Sequence, residues 1–233
     1  MTMDWPNWEG ETAVVVASGP SASDVALEIG KDKARFLAVK DAWKLCPWAD
    51  HLYACDHHWW EAHRGVVEFK GRRIAYDART VEKWRGLNFL KVEISKAHQA
   101  LRFETVGHVG WGGNSGFHAL NLALQFGAAR VLLVGFDMRV DRGKHFFGPH
   151  AYTKERPSEA NCAKWREILD GQAGAIAARG VEVINCSPVS ALKAYRKMDF
   201  AEALKCIATR DRNRSGSASI RARRMPLSLP GRH

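Results

Sequence analysis

Short apolar runs recur along the chain, separated by polar turns and longer segments of helical spacing. Residues 12–17 (TAVVVA), 35–39 (RFLAV), 51–55 (HLYAC), 130–135 (RVLLVG) and 181–186 (VEVINC) are nearly continuous in apolar character, as strands buried on both faces must be. RRIAY (72–76) and LNFLKV (87–92) are weaker strand candidates. Between them lie helical segments. Ser21–Asp24 has the spacing of a capping box ahead of an apolar face at Val25, Leu27 and Ile29. Trp59 to Arg64 reads as helix. Asn114-Ser115 opens an amphipathic run from Phe117 to Phe126, closed by Gly127. Residues 158–179 place Cys162, Trp165, Ile168, Leu169, Ala173 and Ile176 at helical spacing. Strands alternating with helices predict a mostly parallel sheet covered on both faces, an α/β doubly wound, Rossmann-like domain. It spans residues 12–204, after an N-terminal extension (1–11), and no internal repeat is present.

At 233 residues the chain has room for one such domain and an appendage. The charge defines the appendage. Residues 205–233 carry eight Lys/Arg against one acid, Asp211, and so supply seven of the ten net positive charges. This Ser-, Arg-, Gly- and Pro-rich stretch lacks an apolar period and reads as a disordered tail, suited to contact a nucleic acid or other polyanion or simply to stay solvated. The sequence pI of about 9.6 is therefore largely a property of the tail. The five cysteines form no CxxC pair, which fits a reducing cytoplasm rather than a disulfide scaffold. No apolar run reaches transmembrane length, and the first residues lack the pattern of a signal peptide. The tryptophans at 5, 8, 43 and 48 suit core packing or an interface, and a homo-oligomer is compatible with either.

In a doubly wound fold, ligands bind beyond the carboxyl ends of the strands, so the residues following each strand are the candidates. After the first strand comes Ser18-Gly19-Pro20-Ser21, a small-residue turn into a helix start, where backbone amides favour phosphate. It is not the GxGxxG fingerprint. Lys40-Asp41 and Asp56-His57-His58 follow the next two strands. His58 and His63 are five apart, the wrong spacing for a zinc helix, and Trp59 and Trp60 suit packing better than base stacking. Five glycines crowd residues 107–116, ahead of a helix that Asn114 or Ser115 can cap. After the most apolar strand come Asp137 and Arg139, then a loop framed by His145 and His150. Either histidine has the chemistry of a general base at neutral pH.

VVVASGPSASD near the start and NSGFHALNLALQFGAARVLLVGFDM in the centre together resemble a superfamily with two branches. One comprises bacterial sialyltransferases that use CMP-sialic acid; the other comprises archaeal-type 6-hydroxymethylpterin diphosphokinases. Cys55-Asp56-His57-His58-Trp59-Trp60 also resembles an element of bacteriophage proteins with no assigned activity, which would place the chain in a phage-infected host. The sialyltransferase resemblance implies nucleotide binding by Gly19, Pro20, Ser21, Ser115 and Gly116, and the nucleotide would then lie across Ser18–Ser21 and Asn114–Gly116. Lys40 and Asp56 stand where that family has asparagines. It implies a histidine base, His150, with His145 in reserve, and it sets Arg139 in place of a tyrosine that stabilises the leaving phosphate. The substrates would be a CMP-sugar or other nucleotide and a small-molecule or glycan acceptor, with no obligatory cofactor. The diphosphokinase resemblance implies ATP and Mg²⁺ held by Asp137, with Asp141 close behind. A third expectation is a phage-type binding protein without turnover.

Overall fold

In the computed structural model, which describes residues 4–148 and 157–205, eight strands form one parallel sheet. They are β1 (Thr12–Val16), β2 (Arg35–Val39), β3 (His51–Tyr53), β4 (Arg72–Ala75), β5 (Phe89–Lys91), β8 (Arg130–Val134), β9 (Glu182–Asn185) and β10 (Arg196–Lys197). Their order is β10-β9-β8-β1-β2-β3-β4-β5, with every neighbouring pair parallel. β6 (Glu93–Ser95) and β7 (His108–Gly110) form a separate parallel pair. The helices are α1 (His57–Ala62), α2 (Ala78–Lys83), α3 (Ser115–Gln125), α4 (Glu159–Asp170) and α5 (Ala173–Ala177).

β1 is central because all five of its residues are buried, and it satisfies both faces at once. Ala13 and Val15 join Leu37, Tyr53 and Leu133 beneath α3. Val14 and Val16 join Phe36, Ala38, Leu132 and Val134 on the opposite face, with Trp59, Trp60 and Phe200. From β1 the chain builds outward through β2 to β5, then returns through β6, β7 and α3 to place β8 on the other side of β1. The topological switch therefore falls between β1 and β8.

The Rossmann-like α/β architecture matches the pattern of the sequence; several local elements differ. The helix expected after Ser21 is instead two 3₁₀ turns, Pro20–Asp24 and Leu27–Gly30, broken by Val25 in extended conformation. No capping box forms, since the Ser21 amide and hydroxyl are both directed to Asp137. LNFLKV divides after Lys91: Phe89–Lys91 completes the large sheet and Glu93–Ser95 pairs with β7. The 158–179 helix breaks at Gly171-Gln172 into α4 and α5. The N-terminal stretch is partly core: Trp8 is buried against His51 and Phe126. Trp59 and Trp60 are fully buried, in agreement with a packing role. Most of the basic tail, 206–233, lies outside the described residues. Among the described residues no helix is long and apolar enough to cross a membrane.

Candidate functional site

Two groups of polar residues meet the carboxyl edge of the sheet. The first sits at the switch. Gly19 donates its amide to the Gly135 carbonyl at 2.9 Å, extending the β1–β8 ladder past its last strand pair. The Ser21 amide donates to Asp137 Oδ2 at 2.9 Å, and the Ser21 hydroxyl donates to Asp137 Oδ1. A Cβ on Gly19 would fall 2.4 Å from the Gly135 oxygen and 2.7 Å from Asp137 Cγ, so only glycine fits. Asp137 is buried, and its own carbonyl accepts the Ala191 amide at 2.9 Å. The turn that the sequence offers to a phosphate thus already holds a carboxylate from the chain itself.

The second group lies one and two strands away. Lys40 directly follows β2 with φ of +50°, a backbone strain that recurs in Met138, in the loop after β8. Its Nζ pairs with Asp56, whose side chain remains 43% exposed. Burial works against the Lys40 charge, but Cys55, Asp56 and Asp41 outweigh it and hold its pKa above the ordinary lysine value. The neighbouring Asp41 points elsewhere. It is buried and accepts bonds from Lys44, Trp59 and His63. Cys55 Sγ stands 3.2 Å from Ser115 Oγ, and burial followed by the Asp56 charge pushes its thiol up to about 11.

Ser115 belongs to the first turn of α3. Asn114 caps this helix by accepting the Phe117 amide at 2.9 Å. The Ser115 and Gly116 amides are among those a helix cannot satisfy within itself. Beneath them runs a buried chain of hydrogen bonds. His118 Nε2 donates to the Trp111 carbonyl at 2.6 Å, so its Nδ1 accepts from the Tyr53 hydroxyl at 2.9 Å. Burial lowers His118 to about 4 and keeps it neutral. Tyr53, Cys55 and His118 are not among the site residues expected from the sequence, although Cys55 begins the Cys55–Trp60 element and His118 sits one turn beyond Ser115 on the same helix face.

Gly110 and Gly112, ahead of α3, are required by the chain's own packing. A Cβ at Gly110 would strike the Ala100 carbonyl at 1.8 Å, and one at Gly112 the Phe117 ring at 2.1 Å. His145 reaches the edge from the loop after β8. The Ser18 carbonyl accepts the Phe146 amide at 3.2 Å and also bonds His145, whose ring stacks on Phe147 at 5.0 Å. Burial, then the Lys40 charge, lowers the His145 pKa and favours a neutral ring. Ser18 Oγ donates to the Val39 carbonyl at 3.3 Å, next to Lys40. Pro20 begins the first 3₁₀ turn. Arg139 is turned aside: Nε donates to Asp141 at 2.6 Å and Nη1 to the Val189 carbonyl at 3.3 Å. His150 lies outside the described residues. Among those described, no three His, Cys, Asp or Glu side chains are grouped to hold a metal ion.

No family model matches the sequence, and no curated protein matches it. The fold is similar to that of the MAf glycosyltransferase from Magnetospirillum magneticum AMB-1. The TM-score is 0.60 at 15% identity, over 91% of this chain and 38% of that protein. The chain thus spans well under half of that protein's length, and the likeness is one of fold. The sialyltransferase CstII from Campylobacter jejuni, solved with cytidine-5'-monophosphate, aligns over 82% of this chain and 85% of its own at 8% identity. Its TM-score of 0.47 is too low to carry an argument.

Proposed function

We propose that this chain is a nucleotide-sugar-dependent glycosyltransferase. The observation that carries the reading is the Lys40–Asp56–Cys55–Ser115 cluster, which sets a cation, a half-exposed carboxylate and the first turn of α3 together at the carboxyl edge. Lys40 and the α3 amides suit a nucleotide phosphate, and Asp56 suits a ribose hydroxyl. The motif resemblance makes a CMP-sugar the first donor to try, and a fold shared with a glycosyltransferase agrees with the class.

In this mechanism a neutral histidine takes the proton from an acceptor hydroxyl. That oxygen bonds to the anomeric carbon of the sugar, the bond from that carbon to the phosphate oxygen breaks, and the nucleotide leaves with the electron pair. Lys40 and the α3 amides stabilise the charge that develops on the phosphate. His145 is the described candidate for the base, its lowered pKa keeping the ring free to accept a proton. His150, five residues on, competes for the role. His145→Ala and His150→Ala separate the two: the base variant loses roughly 100-fold or more in kcat and keeps nucleotide affinity.

A thermal-shift series with CMP, UDP, GDP, ADP and ATP, each with and without Mg²⁺, tests the reading. A nucleotide at 100 times its Kd adds about 2.7 kcal/mol of stability. Stabilisation by CMP without metal supports a CMP-sugar donor. Stabilisation only by ATP with Mg²⁺ replaces the reading with the diphosphokinase. No stabilisation by any nucleotide overturns it in favour of a binding protein without turnover.

A further inference from the structure

The junction between the Gly19 turn and Asp137 has no evident part in the chemistry above, yet both oxygens of its carboxylate are bonded within the chain. Both oxygens of a buried carboxylate are committed to one residue, Ser21, through its amide and its hydroxyl. Gly19 closes the same joint from the backbone at 2.9 Å to Gly135 and leaves no room for a side chain. One residue before Gly19, the Ser18 carbonyl accepts the Phe146 amide and bonds the neighbouring His145. Pro20, one residue after it, lies within 3.4 Å of where a Gly143 Cβ would stand, at the base of the same loop. The His145 loop therefore bonds the β1 turn at Ser18 and passes close by Pro20, and the turn is anchored by Asp137.

We propose that Asp137 is a positioning residue: by gripping Ser21 it fixes the Ser18 carbonyl against which His145 is held at the carboxyl edge. The inference deepens the glycosyltransferase reading, resting on it for the use to which His145 is put. It reassigns Asp137 from reacting group to support. A carboxylate with both oxygens bonded to Ser21 is poorly placed to take a proton from a substrate or to hold a metal ion. An ordinary packing role would stabilise the fold without setting the surroundings of one histidine. The charges that act on His145 are Lys40 after β2, the inward-turned Asp41 beside it and Lys144 of its own loop, together with the Ser18 carbonyl. A displaced loop changes the ring's distance from all of them and its burial.

The test is an NMR titration of the His145 ring in the full chain, assigned with His145→Gln, for wild type, Ser21→Ala, Asp137→Ala and Asp137→Asn. Asparagine matches the carboxylate in shape: its oxygen accepts the Ser21 amide and its amide group donates to the Ser21 hydroxyl. The expected result is an upward shift of the His145 titration toward the ordinary histidine value in Ser21→Ala and a larger one in Asp137→Ala. Asp137→Asn stays near wild type. CMP affinity holds within about twofold, while turnover of a nucleotide-sugar donor drops roughly 10–100-fold, as a displaced base requires. If Asp137→Ala does not fold, Ser21→Ala carries the test, since it deletes a single hydroxyl. An unmoved His145 titration in folded Ser21→Ala overturns the inference whatever the activity. A moved titration in a protein that turns over no nucleotide sugar supports the inference and sinks the glycosyltransferase reading instead.

Discussion

At the β1–β8 junction, Asp137 and Ser21 bond each other out of contact with water, and Asp137 is only 2% exposed. Across the edge, Lys40 and Asp56 also form a pair, but the Asp56 side chain is 43% exposed and α3 begins beside it. Both regions bring oppositely polarised groups together at strand ends. The first leaves nothing for a ligand to replace without uncovering a buried charge, whose desolvation costs several kcal/mol. The second can trade a solvated carboxylate for a phosphate at small cost. Polar residues beyond a sheet thus divide into those that join strands and those that meet ligands, and burial separates the two kinds more sharply than position in the chain.

The comparison breaks first if the junction tolerates bulk. Gly19→Val must push the Gly135 carbonyl or Asp137 aside and is expected to cost about 3 kcal/mol or more, measured by urea unfolding with no nucleotide present. Next in size is the pH response of the ground beneath the ligand side. His118 is held neutral to about pH 4, whereas in the unfolded chain it takes up a proton near 6.5. Between those values the unfolded state binds more protons. Its contribution is therefore complete above about pH 6.5 and is lost as the pH falls toward 4, by up to about 3 kcal/mol. Unfolding midpoints at pH 7 and 4.5 should differ less in His118→Gln than in wild type.

Lys40→Ala should weaken nucleotide binding roughly 10–30-fold, about 2 kcal/mol, with little change in melting temperature. A large stability loss with intact binding would place Lys40 with the junction instead. The smallest effect is expected of Ser115→Ala. It removes the hydroxyl beside Cys55 and should lower affinity about threefold and stability by about 1 kcal/mol at most, read by calorimetry and thermal shift.

The strands were legible because burial on both faces leaves apolar runs such as TAVVVA and RVLLV, which local sequence states directly. The α3 start was legible for a similar reason, since Asn114 satisfies its orphan amide within three residues. The turn after β1 was not. Ser21 has the spacing of a helix cap, but its partner is 116 residues away, and a distant carboxylate won over the local option. Lys40 and Asp56 were visible as strand-end residues, whereas the turning of Asp41 into the core toward Trp59 and His63 depends on packing that no local pattern records. The glycine crowding before α3 was visible, but the demands of Gly110 and Gly112 come from Ala100 and Phe117, neighbours that only the folded chain supplies.

A self-contained junction has an evolutionary corollary. Because the β1–β8 joint draws on none of the groups at the ligand side, Lys40, Asp56 and Ser115 can change without taking the central strands with them. Such a scaffold can inherit a new substrate by few substitutions. A laboratory library aimed at altered donor preference should randomise those three positions and leave Gly19, Ser21 and Asp137 untouched.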